Sequence, residues 1–417
     1  MRCKRRLSLY FLAITFLTSP LSAQAFSISV VVGELTFFRL FLFLTMIFCI
    51  IENRGIVIVY RKKNRFPVLV MGMMVLYAAV SVIWSINLSN WFRMFYFLLV
   101  ALLLLVLSIT ICRTIDELRL AMEGLQWGVL IQSVIGWYEI FTRDYRYLKL
   151  SQGNIYTYIH SESRIPVAML GNPNDFASLL YLGFSIALIL FFLKKKRGSK
   201  IYQVLIMVNF MIQIYLSGSR ANMIGIVLLL FAFFALKYQA FKVLGVLFGV
   251  LFSIPLCSII KSILASSTSP NGSNNIRFAL MKNGLGFLVD TAGIGVGAGQ
   301  IEVWMEKFGR NNTYGIFNIH NWWLEILVSF GIVIFLMYLW MYLKMIKNLV
   351  KQFREGKKER DNKNLAIALI ASMVGFIVAS ISSSSNMYAE WIWSFWAIVI
   401  VLYGHTFKIN ESLIQSN

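Results

Sequence analysis

His320-Asn321-Trp322-Trp323-Leu324-Glu325 places an imidazole, a carboxamide and a carboxylate within two helical turns. An imidazole accepts a proton near neutral pH, so His320 is a candidate base for a reaction that draws a proton from a hydroxyl. Asn321 and Glu325 stand four apart and share a helix face, where they can hold a partner together. Without chemistry, the same run reads as an interfacial helix cap. Arg220 lies in the tight turn Ser217-Gly218-Ser219-Arg220-Ala221-Asn222. Its planar fork stays charged at any relevant pH and suits phosphate oxygens; the plain alternative is an arginine snorkelling to an interface. Arg277 precedes the alternating glycines Gly293, Gly295, Gly297 and Gly299. Such glycines let a backbone approach a ligand closely, but no P-loop Lys-Ser/Thr follows, so the glycines read as a flexible loop and Arg277 as an anion contact or a solvated charge. Gly171-Asn172-Pro173-Asn174-Asp175 opens a helix: Asn172 suits the N-cap, Pro173 the first helical position and Asp175 the third. That helix start also favours an anion, although Asp175 opposes one close by, and Asn172 and Asn174 are candidate binding residues with Asn321 and Glu325.

These motifs must be carried by apolar elements. Of the 417 residues, 59% are hydrophobic, and the mean hydropathy of +0.72 is far above that of a soluble domain, so the chain belongs in lipid. Apolar stretches fit spans at about 8–25, 33–51, 66–84, 91–112, 118–141, 174–193, 201–216, 221–237, 241–260, 321–343, 364–382 and 388–406. The expectation is an all-α polytopic membrane protein of about twelve transmembrane helices. Its parts are 1–260 with the earlier spans, a large loop at 261–320 before the tenth helix, and 321–417 with the last spans and a tail. Basic loops mark the cytoplasmic side: Arg2 to Arg6, Arg61 to Arg65, Arg113 and Arg119, Lys194 to Lys200, Lys237 and Lys242, and Lys344 to Lys363 all fall together under strict alternation. Both termini are therefore expected in the cytoplasm, and the motifs above on the extracytoplasmic side. Arg143, Arg146, Lys149, Arg164, Lys261, Arg277 and Lys282 run against the rule but lie in long loops, which obey it less strictly. The basic start and Ala23-Gln24-Ala25 also resemble a cleavable signal, whose removal leaves the later orientation unchanged.

Two outer connections are long, 142–172 and 261–320, and long loops are where function concentrates. The second holds a flexible polar stretch from Ser266 to Ser273 and then an apolar segment, Ile276 to Val289, that can lie as an interfacial helix. Arg39, Arg93, Glu139, Asp175, Arg220, Glu325 and Glu390 sit toward outer span ends, with Glu123 the inner exception. The middle of the membrane is thus nearly free of charge, which argues against an ion-coupled pump. Trp84, Trp91, Trp137, Trp304, Trp322, Trp323, Trp391 and Trp393 read as an interfacial belt. The net charge of +21 is dispersed over loops, so nucleic acid is not an expected partner. Four scattered cysteines without CxxC spacing, and no DxD pair, give no expectation of a disulfide, metal site or cofactor.

At Gly171-Asn172-Pro173-Asn174, Ser219-Arg220-Ala221, Arg277 with the Gly293 to Gly299 stretch, and His320-Asn321 with Leu324-Glu325, the chain resembles the O-antigen ligase and O-antigen polymerase family. The resemblance covers roughly the second half of the chain and the span pattern. It implies a GT-C-like glycosyltransferase of the bacterial inner membrane that takes its glycan from undecaprenyl diphosphate. In such a family the positions of Arg220 and Arg277 engage the diphosphate and that of His320 is catalytic, without metal. Polymerisation of lipid-linked repeat units into O-antigen, capsule or exopolysaccharide is the favoured activity. Ligation of a finished glycan to lipid A core or another acceptor is the alternative within the family, and a polysaccharide flippase the alternative of another class. Partners so implied are undecaprenyl-diphosphate-linked glycans, the bilayer, and flippase and chain-length regulator proteins.

Overall fold

The structure, a computed structural model, describes residues 6–21, 27–30, 33–53, 63–146, 164–238, 273–355, 360–383 and 386–406. The expected span at 241–260, the polar stretch from Ser266 as far as Gly272, and Ala23-Gln24-Ala25 lie outside these residues. The helices are α1 (Leu7–Thr18), α2 (Phe37–Asn53), α3 (Arg65–Val80), α4 (Leu88–Ile111), α5 (Ile115–Thr142), α6 (Pro173–Leu193), α7 (Arg197–Leu216), α8 (Arg220–Lys237), α9 (Ser273–Asp290), α10 (Ile301–Phe308), α11 (Trp322–Glu355), α12 (Arg360–Ala379) and α13 (Glu390–Thr406). A helix covers every other expected span, and six among the described residues are long and apolar enough to cross a membrane. The protein is an all-α, multi-pass membrane protein, and the expected interfacial segment is the helix α9. One boundary differs: 33–36 pairs with Ser27–Val30 as a small antiparallel hairpin instead of starting a span. The β-branched residues Ile28, Val30 and Thr36 favour extended backbone in this hairpin, and Gly33 disfavours a helix start.

Helix α6 runs through the middle, since 83% of its apolar window is buried against 28% for α7 and α8. It packs on α5, α7 and α12, while α8 lies along α12. The outward faces of α7 remain apolar at Leu205, Val208, Ile212 and Tyr215, as a lipid-facing helix requires. Trp322, Trp391 and Trp393, expected in an interfacial belt, are instead buried. The indole of Trp322 donates to the hydroxyl of Tyr338 at 3.0 Å and packs against Phe376 and Trp393, so a satisfied N–H lets this ring serve as core.

Charged groups separate to the two ends of the bundle. At one end Arg6 pairs with Glu117, and Lys194 with Glu123. At the other, Arg39 pairs with Glu390 at 3.1 Å, and Glu139 accepts the backbone N–H groups of Val167 and Ala168 at 2.8 Å. All of the motifs singled out above gather at this second end.

The tenth expected span is not one straight helix. Gly331 interrupts α11 with φ 73° and ψ 177°, so Trp322–Phe330 and the long segment after Gly331 run in different directions. A break strands the carbonyls of Val328 and Ser329 and the N–H of Ile332. The glycine-rich stretch takes all three: Val296 N–H donates to Val328 O at 2.9 Å, Gly297 N–H to Ser329 O at 3.1 Å, and Ile332 N–H to Gly293 O at 2.9 Å. This stretch was expected to be flexible. It is an ordered loop with Val296, Ala298 and Gln300 buried, and all four glycines adopt positive φ, from 70° to 99°. At Gly331 a Cβ would strike the carbonyls of Gly293 and Ile294, which is why the break falls on a glycine. A satellite core of Leu280, Phe287, Val296, Ile301, Met305, Ile319, Leu324 and Val328 takes residues from both sides of position 320.

Candidate functional site

Four helix starts, those of α6, α8, α9 and α11, and the end of α12 build the site. Asn172 caps α6, its side-chain oxygen accepting from Asn174 N–H at 2.8 Å, with Pro173 at the first helical position. The chain before it is held down by Glu139 and by Gln132, whose side-chain oxygen accepts from Met169 N–H at 3.1 Å. Gly218, at φ 70°, lets the chain turn tightly from α7 into α8, and Arg220 is the first helical residue there. Ser219 does not cap its own helix. Its hydroxyl donates instead to Asn174 Oδ1 at 2.9 Å, tying α8 to α6. Asn222 is fully buried and its amide reaches Ser178, Ser219 and Ser382 at 2.9–3.1 Å. Ser383 donates to Asp175 at 2.6 Å, which brings in the segment after α12. From there Ser380 O accepts from Trp322 N–H at 3.1 Å, and so fixes the start of α11.

Asn321 caps α11, accepting from the N–H groups of Trp323 and Leu324 at 3.1 and 3.2 Å. Just before it His320 adopts φ 56°, a left-handed conformation held by the anchored residues on either side. Its Nδ1 is buried with no hydrogen-bond partner among the described residues. Arg277, half-buried, comes from the opening turns of α9.

The structure brings Arg220, Arg277 and His320 together. Burial and then the Arg220 cation hold the Arg277 guanidinium below its ordinary value. Burial and then the Arg277 cation push the His320 imidazole from 6.5 down to about 4, so it is neutral at neutral pH. Among the described residues, neither Arg220 nor Arg277 makes a hydrogen bond or an ion pair. Two neighbouring cations with no anion among the described residues, beside a neutral imidazole, form a place where an anionic group can be stabilised and a proton received.

Asn172 and Asn174 are close by in the network, and their side-chain oxygens are occupied in holding α6 and α8. Glu325 is 8% exposed and faces a separate cavity with Glu302, Asn318, Ser329 and Tyr388. Sequence reasoning missed Ser219, Asn222, Ser382 and Ser383 as the brackets of the site. The serine run from Ser382 to Ser385 at a span end was the signal that could have found part of it. It missed Gln300 as well, whose side chain accepts from the N–H groups of Ile86 and Asn87 at 2.9 Å and docks the glycine-rich loop on the N-terminal half. Of the other histidines, His405 is buried and bonded to Cys112 O at 3.0 Å, far along the chain from these motifs, and His160 lies outside the described residues.

Comparison with known proteins agrees with this geometry. Residues 204–339 match a family model described as O-antigen ligase (Wzy_C). The matched segment contains Arg220, Arg277, the glycine-rich loop, His320, Asn321 and Glu325, and begins after Asn172 and Asn174. Over 342 residues the chain is 28% identical to the teichuronic acid biosynthesis protein TuaE of Bacillus subtilis (strain 168), covering 78% of this chain and 69% of that protein. The matched segment makes the chain similar to the O-antigen ligase family, and the match to TuaE makes it similar to a protein of teichuronic acid biosynthesis.

Proposed function

We propose that the protein is a polysaccharide polymerase that joins lipid-linked repeat units, taking the growing glycan from undecaprenyl diphosphate at the extracytoplasmic face of the cytoplasmic membrane. The carrying observation is the pair Arg220 and Arg277, neighbouring guanidiniums without an anion among the described residues, next to the neutral imidazole of His320. In the reaction, an acceptor hydroxyl oxygen bonds to the anomeric carbon while the bond from that carbon to the phosphate oxygen breaks. Negative charge develops on the departing diphosphate, and fixed cations there lower the barrier. The two guanidiniums supply this charge without a metal. The hydroxyl proton goes to His320. Arrival of the diphosphate offsets the Arg277 field, so the imidazole becomes a better base when the donor is bound.

The charge pattern supports an orientation in which the end with Arg6, Arg119 and Lys194, which carries the basic loops, faces the cytoplasm with both termini, and the site faces outside. A second reading, ligation of a finished glycan to a separate acceptor, is favoured by the description of the matched family model. Full-length protein in nanodiscs, incubated with lipid-linked repeat units from the host membrane, separates the two. A ladder of longer lipid-linked products marks polymerisation, and transfer only to an added acceptor marks ligation. Unchanged glycan with both present would overturn the glycosyltransferase reading.

A further inference from the structure

Helix α9 has two apolar sides. One closes the satellite core through Leu280 and Phe287, and Gly284 fits so closely there that a Cβ would stand 3.0 Å from Ile319 Cδ1. The other carries Phe278, Met281, Leu285 and Val289, spaced three or four apart and 37–78% exposed. At 1.5 Å per residue this stripe is about 16 Å long. Of the charges near it, Asp290 is paired with Arg310, and Lys282 has a stem long enough to carry its ammonium away from the apolar side chains.

The stripe is continuous with two other surfaces. At its far end the chain turns within a few residues, Ala292 N–H donating to Val289 O at 2.9 Å and Gly293 N–H to Leu288 O at 2.7 Å, and Ile294, 56% exposed, carries the apolar surface on. Gly293 O holds Ile332 N–H, and from Ile332 the exposed side chains of Val333, Leu336 and Trp340 run along the membrane-crossing part of α11. At the near end stands Arg277, one residue before Phe278 and four before Met281, so the guanidinium borders the stripe. An apolar track thus joins the lipid-facing side of a span to the pair of cations. A diphosphate held by those cations draws the first isoprene units of its carrier out of the hydrocarbon, and apolar surface at that height has to be covered. The stripe has the same need.

We propose that the polyprenyl chain of the donor lies along this track, from Arg277 past Phe278, Met281, Leu285 and Val289 to Ile294 and the outward face of α11. The assignment rests on the lipid-linked donor of the reading above. Helix α9 then serves both halves of the carrier, the diphosphate at its start and the chain along its side. The test uses full-length protein in nanodiscs and two probes, undecaprenyl diphosphate and inorganic diphosphate, which lacks the chain. Leu285 and Val289 are exposed, so the double variant Leu285→Ser, Val289→Ser spares the core. Val208→Ser with Ile212→Ser, on the lipid-facing side of α7, controls for lost apolar surface in general. By calorimetry the α9 variant is expected to weaken undecaprenyl diphosphate binding about tenfold and to leave inorganic diphosphate binding unchanged, while the α7 variant changes neither. In turnover, the donor KM rises for the α9 variant while kcat is largely kept. If that variant binds undecaprenyl diphosphate as the wild type does, loses both probes equally, or is matched by the α7 variant, while the wild type extends lipid-linked glycan, the track is wrong and the glycosyltransferase reading stands. If the wild type transfers no glycan from a lipid-linked donor to any acceptor, both fall.

Discussion

Two polar clusters lie a few residues apart at the same end of the bundle, and their hydrogen bonding is opposite. Around Asn222, the side chains of Asn174, Ser178, Ser219 and Ser382 are joined across α6, α8 and the end of α12 by bonds of 2.9–3.1 Å. Around Arg277, two guanidiniums and the Nδ1 of His320 find no partner among the described residues. Polar groups that are answered within the protein hold helices in register, and polar groups left unanswered beside them are held ready for something else. A single turn contains both kinds: Ser219 is bonded and Arg220, the next residue, is not. Substitutions on the two sides of this divide should therefore separate activity from stability.

The largest effect is expected at His320. His320→Gln should lower kcat by about 100- to 10,000-fold, the range of a lost general base, with little change in unfolding temperature. The pH dependence sharpens this. Because burial and Arg277 depress the imidazole, its neutral form persists down to about pH 4, so kcat/KM should hold at mildly acidic pH and fall only as pH drops through that value. The kcat profile, which reports the donor complex, should break at higher pH, because bound diphosphate offsets Arg277. An acid limb near 6.5 in both profiles would sink the assigned coupling. Next come Arg220→Ala and Arg277→Ala, each expected to cut turnover of the lipid-linked donor by about 100- to 1,000-fold. Neither has a partner to lose among the described residues, so the unfolding free energy should shift by no more than about 0.5 kcal/mol.

How much of this could be read in the residues alone differs by element. Spans were legible because length and apolarity are local properties, as with 66–84 and 174–193 against Arg65–Trp84 and Pro173–Leu193. The Asn172-Pro173 cap was legible for the same reason, since its bonds close within three residues. The break at Gly331 was not: a lone glycine in an apolar run is compatible with a continuous helix, and only the distant glycine-rich loop supplies the bonds that make the break stable. That loop read as flexible because its partners lie more than thirty residues away. Arg220, Arg277 and His320 were legible as types, an anion-binding fork and a proton acceptor. Their convergence was to be expected only through the family resemblance, because in the chain it depends on Ser380 and Ser382 holding the starts of α11 and α8.

On the bonded side of the divide the expected losses are of stability. Asn222→Ala removes the donor that serves three hydroxyls and leaves them buried, so it should cost about 2 kcal/mol in reversible unfolding, with activity per folded molecule largely retained. If turnover instead collapsed with stability unchanged, the cluster would belong to the reaction and the division drawn here would fail.

The smallest effect separates capping from binding at Asn172. Its side chain accepts from Asn174 N–H, and Pro173 already presets the first turn, so Asn172→Ala should cost about 1 kcal/mol and Asn172→Ser should restore most of it. A serine caps a helix as well as an asparagine but lacks the amide that would reach a substrate. Rescue by serine of both midpoint and turnover therefore assigns Asn172 to the helix end, whereas rescue of the midpoint with a raised donor KM assigns its amide to the glycan. The distinction matters for Arg220, because the Ser219–Asn174 bond links this helix end to the turn that presents the guanidinium. Loosening α6 at Asn172 would then reach the donor site only through that turn, as a small change in KM with kcat preserved.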